Sequence, residues 1–265
     1  MILGITFEEK ILKETSLKNY IQLLHEYKIN LLELSPNFID YDLAFYRTIS
    51  DKIKDHNFLI NFHLPNFADE NLDVTNFNGE NKKYFLEYFE NLNKVFDLKN
   101  LTSTLVFHGA KYETHSKSKA FNKTLSFIRF TLDYFNKKNY NLTLSIETLN
   151  QNKEKVIGDS RKDLVKIIKT IDHHKLKICW DITHDYLNLN KIILPNGLFF
   201  EAINHCHVHG FKNNKTHQSI SENSVLFPAI KFAIKNDIPI NIELLMQDNY
   251  LKLLKKDISK VKSLS

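Results

Sequence analysis

The amino-acid sequence predicts a single (β/α)8 TIM barrel occupying residues 1–265. Three observations lead there. Eight short runs of apolar and β-branched residues punctuate the chain. A longer stretch of helical periodicity follows nearly every one, the pattern of right-handed βαβ units and a parallel sheet. The last six runs each end in a histidine or a carboxylate, and strand ends are where such a barrel gathers its active site.

In chain order the strand candidates are 2–6, 30–34, 58–63, 104–108, 142–147, 177–181, 203–207 and 238–244. Helical patterns, with apolar residues recurring at three- and four-residue spacing, occupy 17–27, 40–55, 80–97, 117–137, 159–172, 224–235 and 249–262. The piece 186–200 is less regular and contains Pro195-Asn196-Gly197. No linker, low-complexity segment or tandem repeat interrupts the series, so one domain is expected.

Composition narrows the function classes. With 43% apolar and 25% charged residues the chain can build a sizeable core. No apolar run approaches the ~18 residues of a membrane span. Met1-Ile2-Leu3-Gly4 also lacks the basic start of a signal peptide, so a cytoplasmic protein without a membrane partner is expected. Cys179 and Cys206 fall inside strand candidates with no C-x-x-C, which predicts buried, reduced thiols. The net charge of +5 would suit a polyanion. It comes, however, from scattered lysines and only three arginines, Arg47, Arg129 and Arg161, whereas phosphate recognition favours the arginine fork. A small molecule is therefore the expected partner, with nucleic acid second. The six glycines form no G-x-G-x-x-G or Walker loop, and no G-x-S-x-G elbow or Cys/His nucleophile pattern occurs. Dinucleotide, P-loop and covalent nucleophilic chemistry lose their support. Oligomeric state stays open, a homodimer included.

The segment 203–210 carries His205, His207 and His209 at alternate positions. On a strand this puts all three imidazoles on one face and Cys206 and Val208 on the other. Such a column either binds metal or substrate or merely meets water. Successive inward positions lie about 6.6 Å apart, so the three cannot share one ion without bending the chain. The neighbouring strand ends read Asn61-Phe62-His63, Val106-Phe107-His108, Ser145-Ile146-Glu147, Cys179-Trp180-Asp181 with His184 three residues on, and Asn241-Ile242-Glu243. A carboxylate closing an apolar strand is costly to bury unless a cation or hydrogen bonds meet it. Glu147, Asp181 and Glu243 converging on one mouth would force at least one of them to protonate. A divalent ion removes that conflict, and histidines with carboxylates but no thiolate suit Mn2+, Mg2+, Fe2+ or Zn2+.

The order of these residues carries a resemblance. It runs H-x-P at His63, H-G at His108, Glu147, D-x-x-H at Asp181 and His184, and H-x-H at His205 and His207. It closes with H-x-x-x-x-E-N from His217 and a final Glu243. This resembles the xylose isomerase-like TIM barrel superfamily, which includes sugar isomerases, sugar epimerases and AP endonucleases of the endonuclease IV type. The resemblance spans about 58–245 and rests on ordered spacing, since no single motif is specific. It implies a metal held by Glu147, Asp181, His207 and Glu243, in an isomerase or epimerase of a sugar, sugar phosphate or polyol. The glutamates matching Glu147 and Glu243 would be the catalytic acid and base, passing a proton through an enediolate, and the histidine matching His184 would contact substrate.

The endonuclease branch would add His63 and His108 as ligands of a second ion beside Glu147. A third ion would use His184, His217 and an aspartate two residues before that last histidine. Lys215 stands at that position, and an ammonium repels a cation. The family's glycine-rich stretch reads Ser221-Glu222-Asn223 here, and 66–80 is similar to the sugar relatives. The isomerase or epimerase reading is therefore preferred, with a zinc-dependent AP endonuclease or phosphodiesterase as the alternative. One ion is expected, and His63, His108, His184 and His217 are the candidates for a second ion or for substrate. His209 and Lys215 are expected to contact substrate, with Lys111 and Lys212 in the same mouth loops. Glu33, closing the second strand, would hydrogen-bond either substrate or a structural partner. Trp180, Phe62 and Phe107 alternate away from the site and should face the helices. His25, His56, His115, His173 and His174 fall on helices or loops and are expected at the surface.

Overall fold

A computed structural model describes every residue except 14, 66–68, 114, 152–154, 214 and 246. Eight parallel strands close into a barrel: β1 (Leu3–Phe7), β2 (Leu31–Leu34), β3 (Leu59–His63), β4 (Ser103–Phe107), β5 (Leu142–Glu147), β6 (Leu176–Asp181), β7 (Ile203–Val208) and β8 (Ile240–Ile242). Each pairs with the next in chain order, and β8 closes the ring against β1. Around them lie α1 (Leu17–Glu26), α2 (Leu43–Asp55), α3 (Lys82–Phe96), α4 (Lys117–Lys138), α5 (Arg161–Ile171), α6 (Ile182–Leu189), α7 (Gly197–Ala202), α8 (Phe227–Lys235) and α9 (Tyr250–Lys262). The expected (β/α)8 barrel is what the chain forms.

Two expectations need correction. The strand expected at 238–244 is only three residues long, bounded by Pro239, which has no N–H for a ladder. The irregular piece 186–200 is largely helical, forming the end of α6 and most of α7. Asp181 closes β6 and caps α6 at once, its Oδ1 accepting the His184 N–H at 2.7 Å. A strand that runs into a helix without turn residues leaves no break for pattern reading to find. In the segment 66–80, residues 66–68 lie outside the described residues; Glu70–Leu72 and Val74–Asn76 form short 3-10 turns.

The outward faces of the strands pack as their alternation requires. Phe62 meets Phe96 of α3 with ring centroids 4.9 Å apart, and Phe107 meets Phe127 of α4 at 5.1 Å. Trp180 is buried on the helix side and donates from Nε1 to Asp185 Oδ2 at 3.0 Å, while Arg161 forks onto the same carboxylate. Each fully buried ring contributes roughly 1.5–3 kcal/mol. The helix–barrel interface thus holds most of the hydrophobic stabilisation.

The barrel interior is polar, where such interiors are commonly filled by branched apolar side chains. Asn204 Nδ2 donates to Thr104 Oγ1 at 3.1 Å, Ser145 Oγ donates to Asn204 Oδ1 at 2.7 Å, and Asn241 Nδ2 donates to Thr6 Oγ1 at 2.9 Å. A register shift between β6 and β7 makes this room: Ile178 faces Ile203, but Cys179 faces His205. The extra residue is Asn204, so that both it and His205 turn inward.

Two of the site histidines are each followed by a glycine, and both glycines mark close backbone approaches. A Cβ on Gly109 would stand 2.0 Å from the Ile157 carbonyl oxygen, and one on Gly210 2.0 Å from that of Ser219. Gly109→Ala and Gly210→Ala are expected to lower stability by about 1–3 kcal/mol or more, because backbone must move. Gly79→Ala, with nothing within 4 Å of its Cβ, should stay within about 0.5 kcal/mol of the parent. Thermal unfolding followed by circular dichroism separates the two classes; equal melting of all three variants would refute the close approaches.

Candidate metal centre at the barrel mouth

The C-terminal ends of the strands deliver their side chains to one place. His63 closes β3, His108 follows β4, Glu147 closes β5, Asp181 closes β6, His207 and His209 flank the end of β7, and Glu243 follows β8. His184 enters from the first turn of α6, and His217 from a hairpin of Gly210–Lys212 with Lys215–Gln218. Three overlapping donor groups result, each with its ligand atoms within 4.8 Å of one another. They are Glu147, Asp181, His207 and Glu243; His63, His108 and Glu147; and His184, His209 and His217.

The first group has the geometry of a ligand set rather than of a hydrogen-bond network. His207 Nδ1 lies 3.4 Å from Glu147 Oε1 and 3.5 Å from Glu243 Oε2. Asp181 Oδ2, His207 Nδ1, His209 Nε2 and Glu243 Oε2 are all buried, and none has a hydrogen-bond partner. Buried polar atoms are almost always satisfied, so the three orphans Asp181 Oδ2, His207 Nδ1 and Glu243 Oε2 in one donor group call for a group that accepts lone pairs. Burial is the largest single influence on all three carboxyls and would raise them. The surrounding histidines together outweigh it, led by the charge of His108 for Glu147, of His184 for Asp181 and of His207 for Glu243, and each carboxyl is held below its ordinary range. The residues therefore fit a divalent cation, which Glu147, Asp181, His207 and Glu243 would hold.

The ring orientations agree. His63 Nδ1 donates to the Leu64 carbonyl at 2.9 Å, and its Nε2 faces Glu147 Oε2 at 3.1 Å, as a donor when the ring is protonated and as a lone pair when it is neutral. His108 Nε2 approaches the same oxygen at 2.9 Å. Lone pair against carboxylate is repulsive unless a proton or a cation lies between them. His184 Nδ1 donates to the Thr148 carbonyl at 3.2 Å, freeing its Nε2. His209 Nδ1 lies 3.0 Å from both the Gly210 carbonyl and the His217 N–H. Those neighbours demand opposite protonation: in one tautomer Nε2 is a ligand, in the other it is a donor facing Asp181 Oδ2 at 3.3 Å. His217 itself sits in the left-handed region at φ 57°.

The three residues named as substrate contacts lie at different depths. Glu33 is fully buried behind His207, its Oε1 3.0 Å from His207 Nε2, with Asn241 Nδ2 donating to it at 3.4 Å. Burial would raise its carboxyl, but the charge of His207 and bonds from His205 and His207 hold it at about 2. It fixes the His207 proton on Nε2 and turns Nδ1 to the mouth, the structural alternative of the two. His209 is also fully buried and joins the third donor group with His184 and His217. Lys215 is exposed on the hairpin, paired in register with Lys212. His205 lies one layer deeper, as its position in the column implies. His25 and His56 meet on the outer surface, Nε2 to Nδ1 2.9 Å, far from the mouth in sequence and structure.

One acid was missed. Glu8 follows β1, half-buried, and its carboxyl is raised by burial and, against the pull of Lys10, by Glu243. The rule that found the other strand ends applies to it as well, once the first strand is included.

The fold and the ring of donors define a class: a (β/α)8 barrel whose mouth is lined by histidines and carboxylates. The chain belongs to the xylose isomerase-like TIM barrel family, whose model matches residues 21–250. No curated protein matches it. Among solved structures, it is similar to a D-psicose 3-epimerase determined in the presence of D-fructose, at 15% identity and a TM-score of 0.65, covering 100% of this chain and 96% of that one. A probable 3-DHS dehydratase from Bacillus anthracis gives 14% identity and a TM-score of 0.67, covering 99% of each chain. An AP endonuclease, family 2 protein from Brucella melitensis gives 14% and 0.63, covering 96% and 97%. At these identities the likeness is one of fold.

Glu33→Gln tests the assignment of Glu33 to the back of His207. It is expected to weaken divalent-metal affinity 10–100-fold, as loss of a carboxylate behind a ligand histidine does. Competition against a chromophoric chelator measures this; unchanged affinity would show that Glu33 does not orient the ligand.

Proposed function

We propose that this chain is a divalent-metal-dependent isomerase or epimerase acting on a small sugar, sugar phosphate or polyol. The observation that carries the reading is the set of orphaned donors, Asp181 Oδ2, His207 Nδ1 and Glu243 Oε2, gathered with Glu147 Oε1. A divalent ion bound there would polarise a carbonyl–hydroxyl pair and acidify the adjacent C–H. The chain's own groups then divide the work by exposure. Glu243 retains 14% side-chain exposure and faces the opening, which suits it to take the C–H proton. His217 Nε2, 3.5 Å from Glu243 Oε2 and 23% exposed, can hold that carboxylate in place or pass its proton on. Glu147, 1% exposed and gripped on Oε2 by His63 and His108, presents only Oε1 to the centre. It is the second acid or base, on the other side of His207 Nδ1.

A second reading has its own observation. The group His63, His108 and Glu147 shares Glu147 with the first, the arrangement in which one carboxylate bridges two cations and phosphoesters are hydrolysed. Against it stands the charge around the mouth. Arg161 is committed to Asp185, and Arg47 and Arg129 are exposed on α2 and α4. A polyanionic substrate would meet no arginine fork there. The fold is shared by epimerases and an AP endonuclease alike. The choice rests on the site.

Incubation of Mn2+-loaded protein with a panel of ketoses and aldoses in D2O is expected to introduce deuterium at a substrate C–H, read by NMR. Glu243→Gln and Glu147→Gln should each reduce that exchange by at least 100-fold. Absence of exchange across the panel, together with cleavage of an abasic oligonucleotide and two or three ions per chain, would reverse the ranking.

A further inference from the structure

We infer that the barrel carries a second kind of metal site, below the mouth, held by Cys179, His205 and Glu33. Cys179, His205 and His207 each bring a donor atom within 4.8 Å of the other two, Glu33 Oε2 stands 3.6 Å from His205 Nε2, and none of the four residues is more than 1% exposed. Because Glu33 keeps the His207 proton on Nε2, His207 lies beside this ion and not on it. The register explains the meeting. β6 and β7 pair Asp181 with His207 at the mouth and Cys179 with His205 one inward position down. Cys179 and His205 therefore form the layer directly beneath the mouth ligands, and His207 reaches both levels, Nδ1 toward the mouth and Nε2 toward the interior.

The second observation is His205 itself. Its Nδ1 is engaged with Asn204 Oδ1 at 3.0 Å, and Nε2 is buried without a hydrogen-bond partner. Glu33 Oε2 stands 3.6 Å from that nitrogen, too far to satisfy it, while Glu33 Oε1 is 3.0 Å from His207 Nε2. An unsatisfied buried nitrogen costs roughly 1–3 kcal/mol, and nothing in the mouth chemistry requires this one. A cation among Cys179, His205 Nε2 and the Glu33 carboxylate satisfies it. A cavity of about 220 Å³ at the N-terminal end of the barrel, opposite the mouth, is lined by Asn61, Thr104, Asn204 and His205 and so adjoins one of the ligands.

The donors decide the class of ion. A thiolate with one imidazole and one carboxylate selects Zn2+ or another soft ion, whereas the mouth set contains no sulfur. Binding would release the Cys179 proton to solvent, since the thiolate is the ligand. The ion is structural: no open side faces the mouth, and it would hold His207 from behind through Glu33. The inference stands apart from the proposed isomerase chemistry, because its readout is a sulfur ligand and not turnover.

The chain's two cysteines make the test clean. Cys206 faces outward, its Sγ 3.4 Å from the Pro239 carbonyl oxygen, and serves as the control. Titration of the full-length apoprotein with Co2+ is expected to develop a near-ultraviolet sulfur-to-cobalt charge-transfer band. The band should persist in Cys206→Ser and vanish in Cys179→Ser, which should also bind one ion fewer per chain by elemental analysis. If Cys179→Ser does not fold, Cys206→Ser still decides, because any sulfur band in it comes from Cys179. No such band in the wild type at saturating cobalt, or a band lost in Cys206→Ser, would overturn the site. A protein that exchanges no sugar proton but shows the band would uphold it.

Discussion

Four carboxylates buried in one barrel set the terms for the rest of the structure. Glu33, Glu147, Asp181 and Glu243 converge on a space a few ångströms across, and only Glu243 keeps appreciable contact with solvent. Like charges this close cannot all ionise unless positive charge is brought to them. The chain brings imidazoles from β3, β4, β6–α6, β7 and the hairpin after β7, and their fields hold the carboxyls below their ordinary range. Imidazoles alone leave the arrangement incomplete. Asp181 Oδ2, His207 Nδ1 and Glu243 Oε2 are buried with no hydrogen-bond partner. A divalent cation would give them one.

Such a site is destabilising by itself, and the scaffold is organised to bear it. The stabilising burial lies on the other side of the strands, where Phe62, Phe107 and Trp180 pack against the helices. Alternation along a strand lets one element serve both purposes, since the residue before each mouth ligand anchors it to the helix layer. The glycines after His108 and His209 bring backbone carbonyls of neighbouring loops within contact of the strand ends. Thr148 and Thr183 add further ties: Thr148 Oγ1 accepts from the Asp181 N–H at 2.5 Å, and Thr183 Oγ1 donates to the His209 carbonyl at 2.5 Å. The mouth is thus held by backbone as much as by side chains, which a preorganised ligand set requires.

Most of the barrel and most of the mouth were legible in sequence because both follow from period-two alternation and strand ends. The alternation that predicts an outward Phe62 also predicts an inward His63. What escaped depends on relations that alternation does not encode. Glu33 reads as a strand-end acid, yet the barrel's tilt places it behind His207, on a strand far away in sequence. Asn204 turns inward only because of an unpaired residue between β6 and β7. Lys215 is exposed on the hairpin, while His209, whose role alternation alone does not give, joins His184 and His217. Helix α6 was hidden because Asp181 ends the strand and caps the helix in one residue.

The histidine column shows how far a local pattern can be carried. Spacing along the strand excludes one ion shared by His205, His207 and His209, and the structure gives each a different company. His205 lies among Cys179, Asn204 and Glu33; His207 among Glu147, Glu243 and Glu33; His209 among Asp181, His184 and His217. Each imidazole is about one inward step from the next, and each layer has donors of a different hardness, sulfur below, oxygen at the mouth, nitrogen at the rim. His207 is the one ring with a neighbour in both adjoining layers. Its orientation, set by Glu33, therefore couples the barrel interior to the place where substrate would bind. A change at Glu33 or Cys179, though neither reaches solvent, would be felt at the mouth through that single ring.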